Sequence, residues 1–221
     1  MLIDFDGKKL DLKPTKIIAV ARNYRAHAAE MGSAAPEEPK FFLKPPSSLI
    51  GHQGVVILPD ESQRVDYEVE LGVIIRDRLK KCTGEQAMNG LLGYTVLVDI
   101  TARDIQNEAK KQGMPWAIAK GFDTFAPIGP KIVDAKKLNP ANLDLWLKIN
   151  GALKQQGSTR DMIHPVDVLI AYISKIMTLE PHDIIATGTP EGIGPMKHGD
   201  FVEAGIDGIG TLEFMVEKCK E

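Results

Sequence analysis

Short apolar runs, each stopped by proline, glycine, serine or a charged residue, recur along the 221-residue chain and restrict its fold more than any other feature. Residues 16–20 (KIIAV), 41–43 (FFL), 55–58 (VVIL), 65–75 and 93–99 (GYTVLVD) favour β-structure and read as strands. Further strands are expected at 143–149, 183–187, 201–204 and 212–216. Residues 1–14 read as an opening strand and turn, with Asp6-Gly7 as the turn pair. Helices are fewer. One is expected at 24–31, ending at Gly32, and one at 83–89, where Thr83 and Gln86 have the spacing of a capping box. Two more are expected at 101–112, ending at Gly113, and at 165–177, with Pro165 in the first turn. Strands and helices do not alternate regularly. That argues against a doubly wound sheet and predicts an α+β chain on a folded-over sheet.

The bulk numbers exclude several functions. A formal charge of -3 gives no general attraction for nucleic acid. No apolar run approaches the roughly 20 residues that span a bilayer, so no membrane partner is expected. Cys82 and Cys219 are too few and too far apart for a disulfide scaffold or a cysteine metal site, which fits a reducing compartment. Residues 1–14 carry early acids and no long apolar core, unlike a secretory signal. The expectation is a cytoplasmic protein of one domain, residues 17–221, preceded by a short strand segment, 1–16.

Three groups of residues carry candidate chemistry. In residues 66–75 (DYEVELGVII), Glu68 and Glu70 share one face of a strand, about 6.5 Å apart at roughly 3.3 Å per residue, with Val69 and Leu71 opposite. Asp66 falls on the same acidic face. Alone, this pattern better describes a strand with a solvated acidic side. Asp99, however, ends a second apolar strand, where a buried carboxylate needs a partner. Three converging carboxylates would repel one another unless a cation sits between them. Oxygen donors without histidine or cysteine suit Mg²⁺ or Mn²⁺ rather than Zn²⁺.

His27 and Glu30 stand three apart on the 24–31 helix, so the carboxylate can orient the imidazole for proton transfer. The same spacing also describes an ordinary surface pair. This helix is short and reads as a lid. Arg103 and Gln106 are a second i,i+3 pair, placed to hold a carboxylate and a keto oxygen at a helix start. Lys120 enters a glycine- and proline-rich loop, either as a site residue or as a solvated cation. Residues 186–195 (ATGTPEGIGP) offer hydroxyls and backbone N–H groups, or serve only as a connector.

Seven segments in order resemble the fumarylacetoacetate hydrolase superfamily, especially its short acylpyruvase-like branch. They are RNYRAHAAEMG, FFLKPPSSLIG, DYEVELGVII, GYTVLVDITARDIQ, AKGFDTFAPIGP, QGSTRDMI and MTLEPHDIIATGTPEGIGP. The resemblance implies a mixed β-sandwich roll, a homodimer, and Mg²⁺ or Mn²⁺ on Glu68, Glu70 and Asp99. It implies that His27 and Glu30 activate water, and that Arg103, Gln106, Lys120 and Thr189 meet a small 2-oxo acid substrate. Ala21 and His182 stand where the family usually has glycine. The implied reaction is hydrolysis of an acylpyruvate, or a related 2,4-dioxo acid, to pyruvate and a carboxylic acid. Oxaloacetate decarboxylation and isomerisation or tautomerisation of oxo acids are the alternatives on the same fold. Retention of His27 and Glu30 favours hydrolysis.

Overall fold

The computed structural model describes residues 1–32 and 34–219. The C-terminal bound of the expected domain, at 221, lies outside the described residues. The apolar runs become strands of two large mixed sheets. One has eight strands in the order Lys8–Asp11, Leu2–Phe5, Lys131–Asp134, Leu91–Val98, Val69–Ile75, Ile184–Ala186, Ile17–Ala21 and Lys40–Lys44. The other has five, in the order Ala152–Ser158, Asp144–Ile149, Phe201–Ile206, Gly210–Lys218 and Gly54–Leu58.

Val69, Leu71, Val73 and Val96 of the first sheet join Leu145, Leu147, Val202 and Phe214 of the second in one buried cluster. The two sheets therefore pack face to face as an α+β sandwich, as the folded-over reading expected. A second cluster, with Ile17, Ala19, Ile74, Leu97 and Ile184, lies on the other face of the eight-stranded sheet. The period-2 alternation of Val69–Ile75 thus feeds two apolar layers.

Local signals explain much of the rest. Asp6 (φ 50°) and Gly7 (φ 78°) both take left-handed conformations, which closes the Leu2–Phe5 and Lys8–Asp11 hairpin. Thr83 accepts the Gln86 N–H, and the Gln86 side chain accepts the Thr83 N–H, so the Gly84–Asn89 helix has its reciprocal cap. Thr83→Ala is expected to lower unfolding stability by about 1 kcal/mol, read by urea denaturation. Among the described residues no helix is long and apolar enough to cross a membrane.

Two expectations are corrected. The run 65–75 is not one strand: Val65–Tyr67 pairs with Thr101–Ala102 and Gly194–Pro195 in a separate small sheet, and Val69–Ile75 crosses into the large one. The second helix of the site begins at Arg103 rather than Thr101, because Thr101 and Ala102 are held in that small sheet.

Candidate active site

The break between the two strands builds the site. At Glu68 the chain leaves the ladder: the Val69 N–H donates to Gln155 Oε1 at 2.9 Å, and the Glu68 carbonyl accepts the Asp99 N–H at 2.8 Å. Two residues on, alternation sends Glu70 away from the core that holds Val69 and Leu71. Asp99 follows the Leu91–Val98 strand directly. One oxygen each from Glu68, Glu70 and Asp99 then lie within 4.8 Å of one another, all three residues buried.

Cations answer most of this charge. Lys120 Nζ donates to Glu68 Oε2 at 3.0 Å and Asp99 Oδ2 at 2.6 Å. Lys44 Nζ donates to Asp99 Oδ1 at 2.7 Å and to the carbonyls of Ile100 and Lys120. Arg103 holds Glu68 through Nη2 and Asp66 through Nε. Glu70 is the exception. Among the described residues it pairs with no cation and accepts only the Gly188 N–H, at 2.6 Å. Only glycine fits at that donor, since its φ is 98° and a Cβ there would stand 2.7 Å from that of Asn23.

The titration directions follow. Burial would raise the Glu68 carboxyl, but Lys120 and Arg103 outweigh it and hold it far below the ordinary range. Burial, then the charges of Asp99 and Glu68, push Glu70 well above that range. Burial likewise opposes the charge on Lys120, yet Asp99 and Glu68 keep its ammonium above the usual value. For Lys44 burial prevails over Asp99 and lowers it. A buried carboxylate without a cation, in an oxygen-only trio, is what a hard divalent ion would complete.

A cavity of about 140 Å³ opens on the cluster, lined by Glu68, Glu70, His27, Arg103, Gln106, Lys120 and Thr189 among others. This is below the roughly 300 Å³ typical of sites for drug-sized ligands, and suits an acid of a few carbons. Inside it the polar groups are already oriented. Arg103 Nη1 donates to Gln106 Oε1 at 2.6 Å, which turns the amide NH₂ outward as a donor. Thr189 Oγ1 accepts from Gln155 Nε2 at 2.9 Å and keeps its own proton to give. His27 Nδ1 lies 3.2 Å from Glu30 Oε2, while Glu30 Oε1 accepts the Gly192 N–H at 3.1 Å. A carboxylate at Nδ1 favours the proton there and leaves Nε2 as a base.

All nine expected site residues meet here, although Asp99 and Glu30 stand behind the cavity wall rather than in it. Asp66 leaves the acidic face, since its strand belongs to another sheet and its carboxylate takes Arg64 and Arg103. Lys120 ends a single helical turn, Ala117–Lys120, and is buried rather than solvated. The Arg25–Glu30 helix is anchored rather than lid-like. The Asn23 side chain, fully buried, bonds His164 and Thr187, and Tyr24 bridges to Met162. Lys44 and Gln155 were missed. Lys44 closes a strand within FFLKPPSSLIG, and that motif was its only signal. Gln155 is buried in the middle of a polar stretch, with no local mark of its role.

Comparison with known proteins agrees with this architecture. The model of the fumarylacetoacetate hydrolase C-terminal domain matches residues 16–217. An uncharacterized protein of Pyrococcus abyssi is 60% identical, over 92% of this chain and 90% of its own. The mitochondrial oxaloacetate tautomerase FAHD1 of Arabidopsis thaliana is 47% identical, over 92% of each chain. A fumarylpyruvate hydrolase from Pseudomonas aeruginosa, solved with Mn²⁺ and pyruvate, superposes with a TM-score of 0.94 at 32% identity, covering 99% of this chain and 96% of that one. The chain belongs to the fumarylacetoacetate hydrolase family.

Proposed function

We propose that this protein is a divalent-metal-dependent enzyme that interconverts the keto and enol forms of oxaloacetate. The observation that carries the reading is one base and a cluster of donors lining the same small cavity: His27 together with Arg103, Gln106 and Lys120. Glu68, Glu70 and Asp99 would hold Mg²⁺ or Mn²⁺, which supplies Lewis acidity toward the oxygens of a 2-oxo acid when bound.

The chain's own residues do the rest. Lys120 uses two of its N–H bonds on Glu68 and Asp99, so one remains for an anionic oxygen. Gln106 and the free N–H groups of Arg103 receive the carboxylate end. His27 Nε2 takes the proton from C3 of the keto form, and negative charge develops on the C2 oxygen, where Lys120 and the Gln106 amide stabilise it. The proton then returns to that oxygen, giving the enol. No water is consumed.

Hydrolysis of an acylpyruvate is the second reading, and the Glu30–His27 contact favours it, because the same pair can draw a proton from water. The sequence alone put hydrolysis first. The tautomerase names of relatives near 45% identity, against 32% for the fumarylpyruvate hydrolase, reverse that order. The deciding assay follows enol absorbance of oxaloacetate and product release from a panel of acylpyruvates, both with Mn²⁺ and with Mg²⁺. Hydrolysis without tautomerisation would overturn the first reading.

Lys120→Met is expected to lower kcat/KM by roughly 10- to 150-fold, the equivalent of one charge-assisted contact of about 1.5–3 kcal/mol. Part of the loss should fall on kcat, because the charge it meets grows toward the transition state. A change within about twofold would return Lys120 to a purely structural role.

A further inference from the structure

We infer that Arg22 and Lys110 form a subsite for a second carboxylate, which makes the cavity selective for 2-oxo diacids over 2-oxo monoacids. This deepens the proposed function and rests on its placing of a 2-oxo acid in the cavity. The first support is a charge imbalance. Asp66, Glu68, Glu70 and Asp99 are matched by Lys44, Arg103, Lys120 and, nearer the surface, Arg64. Arg22 and Lys110 line the same cavity and are in no ion pair among the described residues. One carboxylate at the Lys120 end leaves both uncompensated.

The second support is Arg22 itself. Its Nε is shielded from solvent yet has no hydrogen-bond partner, an arrangement that costs free energy until an acceptor arrives. Its backbone is left-handed, φ 58°, which is unfavourable for a residue with a long side chain. An unsatisfied donor on a strained residue at a cavity wall is better explained by a ligand than by stability.

The third support is position. Lys120 Nζ lies 4.8 Å over the Phe42 ring, and Phe42 meets Trp116 edge-on at 5.5 Å. Lys110 Nζ lies 5.3 Å over Trp116. The aromatic pair separates the two ammonium groups, with Lys120 at the carboxylate trio and Lys110 beyond it. Arg22 borders a second, outer hollow with Phe42 and Trp116, so it stands at the mouth of the cavity. Burial, then the charge of Arg103, lowers the Lys110 ammonium against the pull of Glu68, and Lys120 and Arg22 add smaller pushes in the same downward direction. An incoming carboxylate would relieve that repulsion.

The test is calorimetric binding to the Mn²⁺-loaded protein, with L-malate as a stable diacid, L-lactate as its monoacid counterpart and oxalate as a probe of the inner end. Wild type should bind malate at least about tenfold tighter than lactate. Arg22→Met and Lys110→Met should each erase most of that preference while leaving oxalate within about threefold. Lys110→Arg should keep the preference. Oxalate binding also reports that a variant has folded, and Lys110, on a helix, decides the matter if Arg22→Met does not fold. No malate preference in wild type, or one that survives in both methionine variants, would overturn the subsite. A preference that stands in a protein inactive on oxaloacetate would instead remove the proposed reaction and leave the subsite intact.

Discussion

Glu70→Gln should lose its response to Mn²⁺ and most of its activity, yet unfold at a higher temperature than metal-free wild type. Glutamine keeps an oxygen for the Gly188 N–H and turns an NH₂ toward Asp99 and Glu68, the two carboxylates whose charge opposes Glu70. The variant therefore removes a buried anion without a partner, which relieves the metal-free protein. It also removes the charge that a divalent ion needs. A Lewis acid contributes several kcal/mol to such chemistry, so activity should fall by roughly 10²–10³-fold. Undiminished turnover of the variant at low Mn²⁺, or of the wild type after chelation, would end the metal assignment.

The pH dependence has a definite sign. In the unfolded chain Glu70 titrates near its ordinary 4.5, and in the fold it titrates well above. Between those values the folded state holds the proton and the unfolded state does not. Metal-free stability therefore falls as pH rises through that window. Glu68 acts oppositely: its lowered value contributes stability above 4.5 that is lost as pH falls below it. Bound ion requires Glu70 ionised, so the rise in Tm on adding Mn²⁺ should grow with pH. Comparison with Glu70→Gln isolates the effect, because only wild type should show the excess downward slope. Equal slopes in the two proteins would mean that Glu70 is an ordinary carboxylate.

What the sequence disclosed followed the reach of each signal. Glu68, Glu70 and Asp99 could be grouped because strand alternation and an apolar strand end are local features, and the i,i+3 pairs Arg103–Gln106 and His27–Glu30 are local as well. The break at Glu68 was not legible, since the group that captures the Val69 N–H is Gln155, 86 residues away. Asp66 was misplaced by the same omission. Lys44 carried no mark of burial, because only the carbonyls of Ile100 and Lys120 and the Asp99 carboxylate make its position tolerable. The strand Ala152–Ser158 escaped notice because its residues are largely polar and exposed, and Lys131–Asp134 because it is only four residues long with a charge at each end. Neighbouring strands define them, not their own composition.

His27→Ala is expected to separate the reactions this site can support. If His27 moves the proton at C3, its loss should slow oxaloacetate tautomerisation by about 10²–10⁴-fold, the share of a general base. Acylpyruvate hydrolysis, where present, should fall alongside, since water activation uses the same nitrogen. Decarboxylation needs an electron sink and no base, so it should stay within a modest factor. Glu30→Gln should act more mildly, because it leaves the imidazole and removes only the charge that fixes its tautomer. Neither change touches Glu68, Glu70 or Asp99, so Mn²⁺ and oxalate should bind both variants as they bind wild type. The measurement is the set of three rates at one Mn²⁺ concentration, wild type against His27→Ala. Loss of hydrolysis with tautomerisation intact would assign the C3 proton to a group other than His27 and confine His27 to water. An equal loss of all three would show that His27 shapes the closed cavity and moves no proton.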